Sequence, residues 1–209
     1  MTTKIGPDQP NYLERDEQIL SLAQQHPVCP RHFRHLFGSK QAAYRRTKKL
    51  VDSGQLRKVG EVMMGMGGRP ESVFCNGWKP KYDHLKHEVG LSDFLLLYHK
   101  AEIVRGWQVH RTLRPDAEMT LNGILHYVEL DSGKQSLSAV QRRQRVYRGV
   151  DELVLYVTLL SPRRLEGLRR VSKALANVVL FTTLTEAMAD PRGQIWLNCE
   201  GDRFSIDPP

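Results

Sequence analysis

Three carboxylates in the second half of the chain are spaced so that they can share one site. Asp116 precedes an apolar segment, ILHYVELD, that ends in Glu129 and Asp131. Alternate side chains of a strand point to the same face of a sheet, so Glu129 and Asp131 are expected together, with Asp116 at the adjacent turn. Carboxylate oxygens suit Mg²⁺ and Mn²⁺. Asp116, Glu129 and Asp131 are therefore candidate metal ligands, and Glu88, on a preceding helix, is a fourth.

The same carboxylates also have a structural interpretation. Basic residues follow them closely, beginning with Lys134 and continuing into an arginine-rich helix. In this interpretation Asp116 caps a turn, while Glu129 and Asp131 form ion pairs with Arg142, Arg143 and Arg145. Carboxylates near arginines are commonly paired in this way, at a small gain in stability. The sequence alone leaves metal binding, catalysis and ion pairing open.

A second group of residues suits contact with nucleic acid. The segment SKQAAYRRTKKLVDSG predicts a helix that is capped by Ser39, ends at Gly54 and has one apolar face. Its other face offers cations for phosphates and polar groups for base edges. The candidate DNA-binding residues of this helix are Lys40, Gln41, Tyr44, Arg45, Arg46, Lys48 and Lys49. Arg69, in a glycine-rich turn beyond it, is a candidate for a phosphate or the minor groove.

The elements around the basic helix predict a winged helix-turn-helix in residues 1–82. Apolar periodicity predicts a first helix from Tyr12 to Gln25, and Pro30 and Gly38 bound a short second one. After the basic helix, QLRKVGEVMMG and SVFCN predict the two strands of a hairpin. A winged helix places its third helix in the major groove of DNA. The alternative is a domain for protein contact alone, with the basic side as a solvated face.

Residues 83–209 are predicted to form an α/β domain, with a mixed sheet flanked by helices. The connector WKPKYD precedes it, after which helices and strands alternate. ELVLYVTLL is apolar throughout, as is typical of a central strand. The other expected elements are a helix over 85–100, strands near 107–112 and at ILHYVELD, helices over 137–148 and about 161–177, and strands at VVLFTTLT and IWLNC.

The charge of the chain favours a polyanionic partner. Of 209 residues, 31 are lysine or arginine and 23 are acidic, giving a formal net charge of +8. Residues 1–84 hold 14 basic and 8 acidic side chains, whereas residues 85–209 hold 17 and 15. No apolar run approaches the roughly 20 residues that span a bilayer, so we expect a cytoplasmic protein without a membrane partner. Cys29, Cys75 and Cys199 lack the spacing of a zinc site.

Several segments together resemble the replication-relaxation family of plasmid and mobile-element proteins. They are the basic winged helix, the helix HEVGLSDFLL, the turn RPDA and the segment YVELDSGKQS. The resemblance implies a role in the replication or gene control of a mobile element. It also implies a nuclease-like second domain.

That second domain resembles the PD-(D/E)xK nucleases, which have the restriction-endonuclease-like fold. In that superfamily acidic residues hold Mg²⁺ and a lysine assists the attacking water. The resemblance makes Asp116, Glu129 and Lys134 the catalytic candidates. Asp131 occupies the position of the family's lysine, so Lys134 would have to act from a different place on the backbone.

Taken together, the sequence predicts a sequence-specific protein that binds double-stranded DNA, acts as a homodimer and requires no cofactor. Its expected role is to regulate replication or transcription of a plasmid or other mobile element. The alternatives are a DNA endonuclease that depends on Mg²⁺ or Mn²⁺, and a non-enzymatic adapter that recruits replication or transfer proteins.

Overall fold

A computed structural model describes residues 12–64, 69–108, 113–175 and 179–207. The chain divides into two compact units, Met1–Ser92 and Asp93–Pro209. Helices and strands occur in both units, so the protein belongs to the mixed α and β class. Within the described residues, no helix has both the length and the apolar character that crossing a membrane requires.

Three helices followed by a two-stranded hairpin form most of the first unit. A short 3-10 helix, Pro30–Phe33, leads directly into the second of these helices. The elements are α1 (Tyr12–Gln25), α2 (Arg34–Phe37), α3 (Lys40–Asp52), β1 (Arg57–Val62) and β2 (Glu71–Cys75). The predicted first helix, basic helix and hairpin strands are thereby confirmed as elements.

Local sequence explains where α3 begins and which face it buries. Gly38 has a φ of 61°, in the left-handed region that favours glycine, and it ends α2. Ser39 then caps α3, because its Oγ accepts a hydrogen bond from the Ala42 N–H at 3.2 Å. The buried side chains of α3 are Ala43, Thr47 and Leu50, which recur at helical spacing. The opposite side of α3 therefore faces solvent.

The buried face of α3 joins an apolar core with α1 and the hairpin. Ile19 and Ala23 of α1 and Phe74 of β2 belong to this core. Val28, just after α1, pairs with Phe74 in an isolated antiparallel bridge. The core thus holds α3 against both the first helix and the hairpin.

A separate buried cluster lies beside the hairpin. It contains Val59 of β1 and Val73 of β2, together with Leu85 and Val89 of α4 (Leu85–Leu95). The first half of α4 therefore completes the apolar packing of the first unit.

The second unit is built on a seven-stranded mixed sheet. Its strand order is β3-β4-β5-β6-β7-β8-β9, in which β5, β6 and β7 run parallel and the remaining neighbours are antiparallel. Its strands are β3 (Glu102–Arg105), β4 (Ala117–Leu121), β5 (Ile124–Asp131), β6 (Leu153–Thr158), β7 (Val179–Thr183), β8 (Trp196–Leu197) and β9 (Arg203–Phe204). Its helices after α4 are α5 (Leu137–Arg143), α6 (Pro162–Val171) and α7 (Leu184–Ala189).

The helices α5 and α6 follow β5 and β6 and connect the three parallel strands. β6 lies at the centre of the sheet and is buried along nearly its whole length, which confirms the prediction for ELVLYVTLL. The two helices pack closely, because a Cβ on Gly167 of α6 would lie 2.8 Å from Leu137 Cδ1 of α5. Glycine at this position permits the close approach.

The second unit also differs from the sequence expectations. The strand expected near 107–112 is instead β3, and a 3-10 helix, Gly106–Gln108, follows it; residues 109–112 lie outside the described part. β4, β9 and α7 were not expected. α7 interrupts the strand expected at VVLFTTLT because Thr183 caps it: the Thr183 Oγ1 accepts a hydrogen bond from the Glu186 N–H at 3.1 Å.

Candidate functional site

The solvent side of α3 carries a row of polar and basic side chains. Gln41, Arg45 and Lys49 are exposed and lie four residues apart, which puts them on one side of the helix. Within the described part of the chain, neither Arg45 nor Lys49 takes part in an ion pair. We call Gln41, Arg45 and Lys49 the α3 strip.

Placing two cations on adjacent turns has a cost for the helix. Like charges four residues apart destabilise a helix by about 0.2–0.5 kcal/mol. An anion between Arg45 and Lys49 would turn this repulsion into attraction. The α3 strip therefore slightly destabilises the helix by itself, and a bound polyanion would remove this cost.

The lysines of α3 next to the strip have acidic neighbours but stay accessible. Lys48 pairs with Asp52 on the same helix at 2.7 Å. Lys40 Nζ lies 3.6 Å from the carboxylate of Glu71 in β2 and 5.9 Å from the ring centre of Tyr44. Both lysines are exposed, so phosphates can compete for them.

Arg46 has a different role from the one the sequence suggested. Its guanidinium donates from both Nε and Nη2 to the carboxylate of Asp16 on α1. The Arg46 side chain is 23% exposed and that of Asp16 13%, so the pair is mostly buried. The expectation that Arg46 faces DNA is therefore corrected, because this side chain ties α1 to α3.

The hairpin also contributes exposed cations, among them the predicted Arg69. Arg69 is exposed on the segment that leads into β2. The glycine-rich residues 65–68, expected to form the turn, lie outside the described part of the chain.

In the second unit, Asp116 and Glu129 meet at one arginine. Nη2 of Arg143, on α5, donates to the Glu129 carboxylate and lies 3.4 Å from Asp116 Oδ1. The Tyr147 hydroxyl donates to the other oxygen of Glu129. Asp116 also accepts a hydrogen bond from the Leu130 N–H at 2.8 Å. We call Asp116, Glu129, Arg143 and Tyr147 the acidic cluster.

The β4–β5 hairpin positions Asp116 beside β5. Ala117 lies opposite Val128 in the register, so the residue before β4 falls next to Glu129. The Gly106 N–H donates to the Asp116 carbonyl at 2.9 Å. A Cβ on Gly106 would come within 1.9 Å of the Pro115 carbonyl oxygen, so glycine allows this segment to lie against the end of β3.

The acidic cluster contains two carboxyl groups, those of Asp116 and Glu129, beside the guanidinium of Arg143. Burial, and then the neighbouring charge of Asp116, raise the pKa of Glu129 to about 8, against the attraction of Arg143. Burial opposes the charge of Arg143, but Glu129 and Asp116 raise its pKa, so it remains a cation. Burial and Glu129 also raise the pKa of Tyr147, which keeps its hydroxyl as a donor.

Asp131 belongs to a separate set of contacts. Arg164, in the first turn of α6, donates from Nε and Nη2 to the two carboxylate oxygens of Asp131, both at 2.8 Å. The Thr158 hydroxyl of β6 lies 3.1 Å from Asp131 Oδ2. Arg142 and Arg145, which were among the expected partners, are exposed. The partner of Asp131 is thus an arginine that sequence proximity did not indicate.

These contacts do not fit a shared site for Mg²⁺ or Mn²⁺. A divalent cation would have to displace Arg143 from Glu129 and Arg164 from Asp131, and both arginines hold mostly buried carboxylates. Among the described residues, no group of three or more histidine, cysteine, aspartate and glutamate side chains is arranged to hold a metal ion. The ion-pair interpretation describes the arrangement better.

The two remaining candidates of the metal-dependent interpretation are Lys134 and Glu88. Lys134 is exposed on the turn after β5. Glu88 belongs to the first unit, where its carboxylate lies 3.7 Å from Nδ1 of His87. Among the described contacts of the second unit, Lys134 supplies no group to the acidic cluster.

No known family model matches the chain. A search of curated proteins likewise finds no significant relative. The resemblances to the replication-relaxation family and to the PD-(D/E)xK nucleases therefore remain predictions from the sequence. The geometry provides an exposed basic strip in the first unit and a closed acidic cluster in the second.

Three partner residues escaped the sequence interpretation: Asp16, Tyr147 and Arg164. Arg164 carries a usable signal, because the first turn of a helix after a parallel strand lies near the carboxyl edge of the sheet, where Asp131 ends β5. Tyr147 follows Arg143 at helical spacing, which places the two on one side of their segment. Asp16 lies 30 residues from Arg46, and no local pattern links them.

Proposed function

We propose that the protein binds double-stranded DNA through the α3 strip, with α3 in the major groove. The observation that carries the proposal is the exposure of Arg45 and Lys49 on one side of α3, outside any ion pair of the described residues. Arginine and lysine bind phosphates and guanine edges, and glutamine at position 41 suits adenine. The strip therefore offers groups for both affinity and base recognition.

The order of elements in the first unit supports this proposal. Three helices precede a hairpin, and the Val28 bridge adds a third short extended segment beside Phe74. This arrangement resembles a winged helix-turn-helix, whose third helix contacts base edges. The exposed Arg69 of the hairpin suits a neighbouring phosphate, as do Lys40 and Lys48 of α3.

For the second unit, we propose a scaffolding role in dimerisation or partner contact. Its carboxylates are bound by Arg143 and Arg164, which favours structural ion pairs over phosphodiester cleavage. In line with the sequence resemblance, the proposed biological role is regulation of replication or transcription of a plasmid or related element.

Footprinting on DNA from the protein's own genetic neighbourhood tests the proposed function. We expect a protected site that is bound at least about 10³-fold more tightly than random duplex. Equal affinity for every duplex would contradict sequence specificity. Absence of binding even at low salt would contradict the whole proposal.

A further inference from the structure

We propose that Glu71, at the start of β2, competes with DNA phosphates for Lys40 of α3 and thereby limits the affinity of the first unit for duplex DNA. The inference rests on the proposed function, because it assigns a further residue to the same DNA-binding surface. It is carried by one carboxylate that contacts two cations, Arg31 and Lys40, from different elements of the first unit.

Arg31 holds one oxygen of this carboxylate. Its guanidinium forms an ion pair with Oε2 of Glu71. Arg31 belongs to the 3-10 helix before α2, so the pair joins that segment to the hairpin. The side chains of Arg31 and Glu71 are 24% and 19% exposed, so both are mostly shielded from solvent. The position of the Glu71 carboxylate therefore does not depend on Lys40.

The other oxygen of Glu71 lies near Lys40 but holds it loosely. The distance from Lys40 Nζ to Glu71 Oε1 is 3.6 Å, longer than the roughly 2.7–3.2 Å of a usual N–H···O hydrogen bond. The Lys40 side chain is 59% exposed, so this contact is a weak attraction at the surface. Lys40 can leave Glu71 for another anion while Arg31 continues to neutralise the carboxylate.

The position of Lys40 in α3 makes a DNA phosphate the competing anion. Lys40 is the first residue of α3, and the N-terminal part of a recognition helix lies close to the DNA. In the proposed complex, a contact between Lys40 and a phosphate must therefore be made at the expense of its attraction to Glu71. Arg45 and Lys49 of the α3 strip face no such competition, since within the described residues neither takes part in an ion pair.

A purely structural role for Glu71 predicts the opposite result. If the carboxylate only holds Arg31 and Lys40 in the positions that DNA requires, removing its charge weakens duplex binding. If it competes with phosphates, removing its charge tightens duplex binding. The direction of the change therefore distinguishes the two roles.

The test measures binding of the full chain to a random duplex by fluorescence anisotropy. Glu71→Gln removes the charge but keeps an oxygen that can accept a hydrogen bond from Arg31. We expect binding to tighten at least about threefold, within the range of an exposed ion pair, and the gain to shrink as added salt screens the charges. The matched control, Glu17→Gln, removes the same charge from an exposed position on α1 and should change affinity by less than about 1.5-fold.

A double-mutant cycle shows whether Glu71 acts through Lys40. In the Lys40→Gln background, the Glu71→Gln change should alter affinity by less than about 1.5-fold, because the cation for which the carboxylate competes is absent. A full gain in that background would mean that Glu71 acts on DNA without Lys40, and it would overturn the inference.

Unchanged or weaker binding by Glu71→Gln, or an equal gain in Glu17→Gln, would likewise overturn the inference while leaving the proposed function intact. Absence of duplex binding by the wild type and by every variant would overturn both. If Glu71→Gln fails to fold, Glu71→Asp replaces it, with Glu17→Asp as its control. The shorter side chain keeps a charge for Arg31 but draws the carboxylate away from Lys40, so binding should again tighten.

Discussion

Arg46 of α3 and Asp16 of α1 form a two-point ion pair between helices that are far apart in sequence. The pair fixes how α3 is turned about its axis, because it holds the Arg46 side of the helix against α1. Arg45, the preceding residue, is exposed as a result, and so is Lys49 one turn later. The orientation of the proposed DNA-binding surface thus depends on a contact that does not itself face DNA.

Replacing Arg46 should therefore reduce stability as well as DNA binding. Arg46→Ala leaves the mostly buried Asp16 carboxylate without this partner, and we expect the free energy of unfolding to fall by about 1–3 kcal/mol. Urea unfolding followed by tryptophan fluorescence measures the loss. Lys48→Ala, which breaks an exposed pair, should change stability by less than about 0.5 kcal/mol. Equal effects of the two variants would contradict the assigned role of Arg46.

The raised pKa of Glu129 gives the stability of the second unit a defined pH dependence. The unfolded chain releases this proton near pH 4.5, whereas the folded protein holds it until about pH 8. Between these values the folded state binds more protons, so the free energy of unfolding falls as pH rises, by at most about 1.4 kcal/mol per pH unit. The contribution is complete below the lower pKa and is lost above the higher one.

Comparison with Glu129→Gln isolates this effect, because glutamine cannot lose a proton. His126 gives a slope of the opposite sign near pH 6.5, since burial lowers its pKa, and both proteins share that slope. We expect the stability of the wild type relative to the variant to decline from pH 5 to pH 9, measured by chemical denaturation. A relative stability that rises with pH would show that Glu129 is stabilised as a carboxylate.

Breaking the pair between Asp131 and Arg164 should have a larger effect on stability. Arg164→Met leaves the Asp131 carboxylate, 7% exposed as a residue, without its bidentate partner. We expect a loss of about 3 kcal/mol in the free energy of unfolding. Arg163→Met, at the exposed neighbouring position, is the matched control and should stay within about 0.5 kcal/mol of the wild type. A small loss in both variants would mean that the buried pair contributes little.

The ion-paired carboxylates also lead us to expect no DNA cleavage. Purified protein is incubated with supercoiled and linear DNA in the presence of Mg²⁺ or Mn²⁺, with a chelator and Asp116→Ala as controls. Neither nicking nor linearisation should exceed the chelator control. Metal-dependent nicking that disappears in Asp116→Ala would replace the scaffold interpretation with that of a nuclease. Loss of nicking in Lys134→Ala would then identify Lys134 as the lysine that assists the attacking water.

Local signals in the sequence were sufficient to predict the first and third helices and the hairpin strands of the first unit. Gly38 and Ser39 determine where α3 begins. Gly38 does so by its backbone conformation and Ser39 by capping the helix, and both effects depend on neighbouring residues alone. A local signal also exists for β4, because Asn122 and Gly123, which join β4 to β5, both have positive φ, as a two-residue hairpin turn requires. The predicted boundary at residue 82 precedes α4, whereas Leu85 and Val89 pack in the first unit, a tertiary contact that the connector does not reveal.

Local patterns could not predict the partners of the carboxylates, because these partners lie on separate helices. Alternation correctly suggests a common face for Glu129 and Asp131, but the helix that covers each residue decides its contacts. α5 brings Arg143 to Glu129, and α6 brings Arg164 to Asp131. Two neighbouring acidic residues thus contact two different arginines, where the sequence suggested one shared cation.

The most direct test of the account measures duplex binding by fluorescence anisotropy over a range of salt concentrations. The wild type is compared with Arg45→Gln/Lys49→Gln and with the control Arg142→Gln/Arg163→Gln, which removes equal charge from the second unit. If both α3 residues contact phosphates, affinity should fall at least about tenfold and the log–log salt slope should decrease in magnitude by about 1.8. Unchanged affinity and slope in the α3 variant, or an equal loss in the control, would contradict DNA binding through α3.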